Sequence, residues 1–204
     1  MERKNYVLIS DGSSDRCLLP IIDYWLSKYF PEVIFQGENA VFRTSQPKTL
    51  ADKIKEAIVQ YEPDWIFVHR DAEKENEPLQ KRAKEIEEAV GKVQPVQTIV
   101  KIIPIRMTEA WLLIDEKAIR RAAGNPNGKV RLEIPKVSQL EQIANPKELL
   151  SQLLRQASEL SGRSLAKLNV DKARHLVAEH TQNYELLSQL SAVKHFQRQL
   201  EAFQ

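Results

Sequence analysis

Three short apolar runs constrain this chain most. Tyr6-Val7-Leu8-Ile9-Ser10, Trp65-Ile66-Phe67-Val68 and Gln97–Arg106 are rich in β-branched and aromatic residues and too short for buried helices. Segments with helical spacing separate them. After the first run, Leu18, Leu19, Ile22, Trp25, Leu26 and Tyr29 recur on one helical face. Before the second, Thr49 is placed to cap Leu50–Tyr61, whose Ile54, Ala57, Ile58 and Tyr61 share a face. Leu79–Val90 repeats the pattern before the third, with Ala83, Ile86 and Val90 inward. Strand and helix in alternation, with continuous apolar strands, specify an α/β fold with a mostly parallel sheet covered by helices on both faces.

Smaller features complete the expectation. Pro20 requires either a kink or a regular helix that begins beside it. Val33–Phe35 and Ala40–Arg43 flank Gly37 as one bulged strand or as a hairpin. Glu109–Ile114 has helical composition after Thr108, a candidate cap. From Gly124 the character changes: Gly124–Gly128 is a loop, Val130–Ile134 a short edge strand closed by Pro135, and Pro146–Ser161 and Asp171–Phe203 are helical. The reading is therefore a core over residues 1–123 and a helical appendage over 124–204, packed on it.

Composition narrows the function classes. The chain has 204 residues, 42% hydrophobic and 28% charged, with a net charge of +2, so nucleic acid could be bound only through a local basic patch. The one cysteine, Cys17, excludes an intrachain disulfide framework, and we read it as a buried small hydrophobe in a cytoplasmic protein. No apolar run reaches the roughly 20 residues of a membrane span.

The chemistry lies in acids that follow the strands. Asp11 and Asp15 follow the first, Asp71 and Glu73 the second and Glu109 the third. An open parallel sheet gathers the carboxyl ends of its strands along one edge, where ligands bind. Five carboxylates drawn together there need protons or divalent cations. Two hard cations such as Mg2+ or Mn2+ would nearly cancel the charge and could promote phosphodiester cleavage. Arg70 and Arg106 adjoin the acids, either to hold phosphate or to neutralise the carboxylates directly; Arg163, Lys167, Lys172 and Arg174 form a basic stretch further on. His69 either orients a water or is a hydrogen-bonded structural residue. No Gly-x-x-x-x-Gly-Lys-Ser/Thr loop occurs, so ATP hydrolysis would fall to a partner.

These motifs resemble the TOPRIM domain of topoisomerases, primases and overcoming-lysogenization-defect nucleases. Asp11-Gly12-Ser13-Ser14-Asp15 is similar to the acid-Gly-x-Ser/Thr-acid motif of the nuclease branch, Asp71-Ala72-Glu73 to its Asp-x-Asp, and Glu109 to its further glutamate. Asp11 stands where that family has glutamate and Glu73 where it has the second aspartate, which changes reach by about an ångström. More narrowly, Pro104–Asp115, Asn145–Leu150 and Ser161–Arg163 resemble a bacterial TOPRIM-like family often encoded beside an ABC- or AAA-type ATPase in defence-type systems.

The resemblance implies a metal-dependent nuclease. Asp11, Asp15, Asp71, Glu73 and Glu109 would be the metal ligands, with Arg106 also catalytic, and Arg70, Arg106, Arg163 and Lys167 would contact phosphate. DNA is favoured over RNA as the substrate, and an ATPase is the expected partner. The alternatives are a non-catalytic module that docks the ATPase, and a phosphatase with Asp11 as nucleophile.

Overall fold

The computed structural model describes residues 2–42, 47–72 and 78–204. Four strands, β1 (Glu2–Ile9), β2 (Val33–Asn39), β3 (Trp65–His69) and β4 (Thr98–Ile102), form one sheet in the order β2-β1-β3-β4, and every pairing is parallel. The chain moves from β1 to β2 on one side, then crosses back to lay β3 on the other. Adjacent strands β1 and β3 therefore send their chains in opposite directions, and a crevice opens at their carboxyl ends.

Both faces of the sheet are covered, and strand alternation assigns each residue to one of them. Tyr6 and Leu8 of β1, Trp65 and Phe67 of β3, and Val100 and Ile102 of β4 share a buried cluster with α1 (Leu19–Tyr29) and the C-terminal helices. Val7, Ile9, Ile66 and Val68 pack on the other face against α2 (Leu50–Tyr61) and α3 (Pro78–Val93), through Ile54, Ala57 and Ile86. Thr49 caps α2, its Oγ1 accepting from the Asp52 N–H at 3.1 Å. Pro20 lies in the first turn of α1, where its missing N–H leaves no carbonyl unsatisfied. A 3-10 turn over Ser13–Leu18 precedes that helix, with Gly12 at its cap.

Gly37 sits in a single uninterrupted parallel strand, opposite Tyr6. The Tyr6 ring lies over it, and the Tyr6 hydroxyl donates to Asp23 of α1 at 2.6 Å. At the opposite end of the sheet, Gln199 does the work of a neighbouring strand. Its Oε1 accepts from the Lys101 N–H at 2.8 Å and its Nε2 donates to the Lys101 carbonyl at 2.9 Å, which satisfies Lys101 on the free edge of β4.

The C-terminal part comprises α4 (Glu116–Ala122), α5 (Pro146–Ser158), α6 (Gly162–Ala166), α7 (Val170–His180) and α8 (Ser191–Glu201). Leu150, Leu154, Val177 and Phe196 belong to the same buried cluster as Trp25, Trp111 and Phe67. The helical tail is divided rather than continuous. Tyr184 turns inward and donates to the Ala178 carbonyl at 2.6 Å, and Asn183 accepts from Glu185 N–H, starting a 3-10 turn between α7 and α8. Val130–Ile134 does not form the expected strand. Side chains satisfy its backbone instead: Glu159 accepts from the N–H groups of Lys129 and Val130, Arg120 donates to the Val130 carbonyl, and Gln156 to that of Arg131. Among the described residues, no helix is long and apolar enough to cross a membrane.

A Cβ at position 37 would lie 1.9 Å from Tyr6 Cζ. Gly37→Ala should thus force the buried ring from its place between β2 and Asp23, with a loss of about 1–3 kcal/mol in urea unfolding. Wild-type stability in that variant would contradict the packing described.

Candidate functional site

The crevice at the carboxyl ends of β1 and β3 holds a cavity of about 290 Å³ lined by Asp11, Asp15, His69, Arg70, Asp71, Arg82 and Glu85. Backbone pairing fixes this edge. Beyond β3, the Arg70 N–H donates to Ile102, the Ala72 N–H to Pro104 and the Arg106 N–H to Ala72, so the chain stays extended through Asp71. Extended backbone alternates its side chains. His69 and Asp71 consequently fall on the α1 side of the sheet, and Arg70 on the α2–α3 side.

On the α1 side, the His69 imidazole is 3% exposed and lies between two carboxylates. Its Nδ1 is 3.4 Å from Asp15 Oδ2, and its Nε2 is 3.2 Å from Asp71 Oδ1 and 3.1 Å from Thr108 Oγ1. Burial pushes the His69 pKa down, but Asp15 and Asp71 outweigh it and carry the group up to about 9. It is an imidazolium at neutral pH. Burial likewise raises the Asp15 carboxyl, yet His69, the Gly12 N–H and Ser14 hold it below the usual carboxylate range. Glycine at 12 and an acid at 15 close a reciprocal turn here, with Gly12 N–H donating to Asp15 Oδ2 at 3.2 Å. Thr108 uses its hydroxyl on His69 rather than as a helix cap; Met107 precedes the 3-10 turn over Thr108–Leu112.

On the α2–α3 side, Asp11 is held by Lys53 at 3.0 Å and by an ion pair with Arg70. Burial pushes the Asp11 carboxyl up, and hydrogen bonds from Lys53 and Arg70 more than reverse this. Arg70 Nε also meets Glu85 at 3.0 Å, and Arg82 donates to Glu85 at 2.8 Å and to the Asp71 carbonyl at 3.1 Å. Lys53, Arg82 and Glu85 were not singled out from sequence. The signal was nonetheless available: a helix that follows a strand begins at the carboxyl edge, so the first turns of α2 and α3 had to contribute to this site.

Glu109 has a different environment from the cavity acids. It is 7% exposed, and its Oε1 accepts from Arg174 Nη1 of α7 at 2.5 Å. Arg174 also reaches Asp171 at 2.8 Å. The pair sits beside Cys17, whose thiol pKa is raised by burial and then by Glu109 and Asp15. Arg106 adopts a left-handed backbone (φ 72°) next to the edge and is partly exposed. Arg163 and Lys167 are exposed at α6, in the C-terminal part. Glu73 lies outside the described residues. Thus Asp11, Asp15, Asp71 and Arg70 are brought together, while Glu109, Arg163 and Lys167 do not line the cavity.

The cavity offers hard carboxylate oxygens of the type that magnesium and manganese prefer. As they stand, the acids face basic partners, and among the described residues no group of three His, Cys, Asp or Glu side chains is arranged to hold an ion. Comparison of the chain with protein-family models, with curated proteins and with solved structures yields no match.

The folded pKa of His69 lies above its unfolded value near 6.5, so its contribution is complete below pH 6.5 and is lost as pH rises through about 9. Between pH 6 and 9.5, wild type should lose about 3 kcal/mol more unfolding free energy than His69→Gln, as read by urea denaturation. Parallel pH profiles would contradict the imidazolium assignment. Arg174→Met should cost about 3–5 kcal/mol by stranding the Glu109 carboxylate, and adding Glu109→Gln should recover much of it. Denaturation midpoints of the single and double variants measure this coupling.

Proposed function

We propose that the carboxyl edge of the sheet is a metal-dependent phosphodiesterase site acting on nucleic acid. One observation carries the reading: Asp11 and Asp15 from the turn after β1 and Asp71 from the segment after β3 line a single cavity together with Arg70 at the strand-order reversal. The donor set suits a hard divalent cation, and Asp11, Asp15 and Asp71 are the residues that would hold it. When bound, magnesium or manganese would supply Lewis-acid charge to the phosphodiester and lower the pKa of a water.

The chain's own groups have distinct duties. Lys53 and Arg70 already make charge-assisted hydrogen bonds to a carboxylate, and phosphate oxygens accept the same bonds. Arg70 braces against Glu85, which orients its guanidinium. His69 carries its proton at neutral pH, so it serves as a fixed cation that positions Asp15 and Asp71 rather than as a general base. Thr108 holds the same imidazole from a third direction.

A specific observation favours a second reading, a non-catalytic module that docks a partner ATPase. Asp11, Asp15, Asp71 and Glu85 each have a basic partner within the protein, so the cavity is largely neutralised without a metal. Calorimetric titration with manganese separates the two. The phosphodiesterase reading expects heat of binding in wild type and manganese-dependent cleavage of DNA, with a fall of at least about 100-fold in Asp71→Ala. An undiminished cleavage rate in that variant refutes the assignment; no manganese binding to wild type favours the docking module.

A further inference from the structure

A second cleft is lined in part by the turn that supplies Asp15. Arg16 and Cys17 of that turn, Leu19 and Pro20 of α1, and α7 residues enclose a cavity of about 640 Å³. This is larger than the 290 Å³ acidic cavity and falls within the size range of small-ligand sites. Its chemistry also differs. The walls include Leu19, Pro20 and Leu176, whereas Arg16 and Lys172 stand at the opening. Both cations are exposed, and no described residue pairs with either side chain. They come from elements far apart in sequence, yet they border one opening.

His175 supplies a third observation. It lines the same cleft, and its Nδ1 is buried without a hydrogen-bond partner among the described residues. A buried polar atom left unsatisfied is destabilising, so a ligand atom that bonded it would gain a local advantage. Burial and then the neighbouring Arg174 and Arg16 hold the His175 pKa below its ordinary value, so the ring is neutral at pH 7. It therefore presents one N–H and one lone pair, suited to a hydroxyl or ester oxygen. Glu179 places one carboxylate against the two cations, which leaves the cleft a single excess positive charge. One phosphate matches that balance better than a polyphosphate chain.

We propose that this cleft binds a small phosphorylated ligand of nucleotide size. Arg16 and Lys172 hold the phosphate, His175 bonds a ligand oxygen, and Leu19, Pro20 and Leu176 cover the apolar part. The site goes beyond the phosphodiesterase reading and does not depend on it, because none of these residues lines the acidic cavity.

Calorimetry on the full chain with three probes tests the proposal. Adenosine monophosphate should bind at least about tenfold more tightly than either inorganic phosphate or adenosine, since only it uses both the cations and the apolar wall. Arg16→Gln combined with Lys172→Gln should weaken that binding by at least about tenfold. The thermal midpoint of the ligand-free double variant should stay at the wild-type value, because both side chains are exposed. Asp71→Ala should retain wild-type affinity for the nucleotide, which separates failure of this site from failure of the acidic one. No heat with adenosine monophosphate, or unchanged affinity in the double variant, overturns the proposal. Equal affinity for inorganic phosphate overturns the role of the apolar wall.

Discussion

Burial of both faces of β1 and β3 is the constraint on which the rest depends. Tyr6, Val7, Leu8 and Ile9, and Ile66, Phe67 and Val68 opposite them, are at most 2% exposed. Strands that bury consecutive residues must have helices on both sides, and parallel pairing then brings their carboxyl ends to a common edge. The chain leaves β1 toward β2 and returns to β3, so the polar turns after these two strands flank one crevice. Asp11, Asp15, His69 and Asp71 converge because the core leaves them no other place. The same packing draws in the first turns of α2 and α3, and with them Lys53, Arg82 and Glu85.

Within that crevice the protein resolves its own charge. Acids held close together repel one another unless something intervenes. Here His69 separates Asp15 from Asp71, and Arg70 with Lys53 takes Asp11. Period-two alternation past the end of β3 divides this neutralisation between the two faces of the sheet: histidine and Asp71 on the α1 side, arginine on the other. The buried Glu109–Arg174 pair extends the pattern, since it fastens α7 to the turn that precedes α4. The C-terminal helices thereby bear on the geometry of the edge as well as on the core.

Much of the architecture was legible because it rests on local pattern. The apolar runs at Tyr6–Ser10 and Trp65–Val68 are strands, and Thr49, Pro20 and Cys17 behave as their chemistry requires. The failures share one cause, which is that side-chain hydrogen bonds to the backbone decided them. Val130–Ile134 has strand composition, but Glu159, Arg120 and Gln156 satisfy its backbone before any strand could. Asp171–Phe203 has helical composition throughout, but the helix ends at His180 and Tyr184 turns inward to donate to the Ala178 carbonyl. Asn183 supports that break.

By itself, the sequence determined the fold class, the alternation of strands and helices, and the presence of acids after the strands, since each of these follows from spacing along the chain. The tertiary structure decided which of those acids share a cavity and what neutralises them. Glu109 shows why: nothing near it in sequence foretells that Arg174, 65 residues later, will meet it in the interior. Ion pairs form between side chains brought together by packing, and packing is a property of the whole fold rather than of any segment.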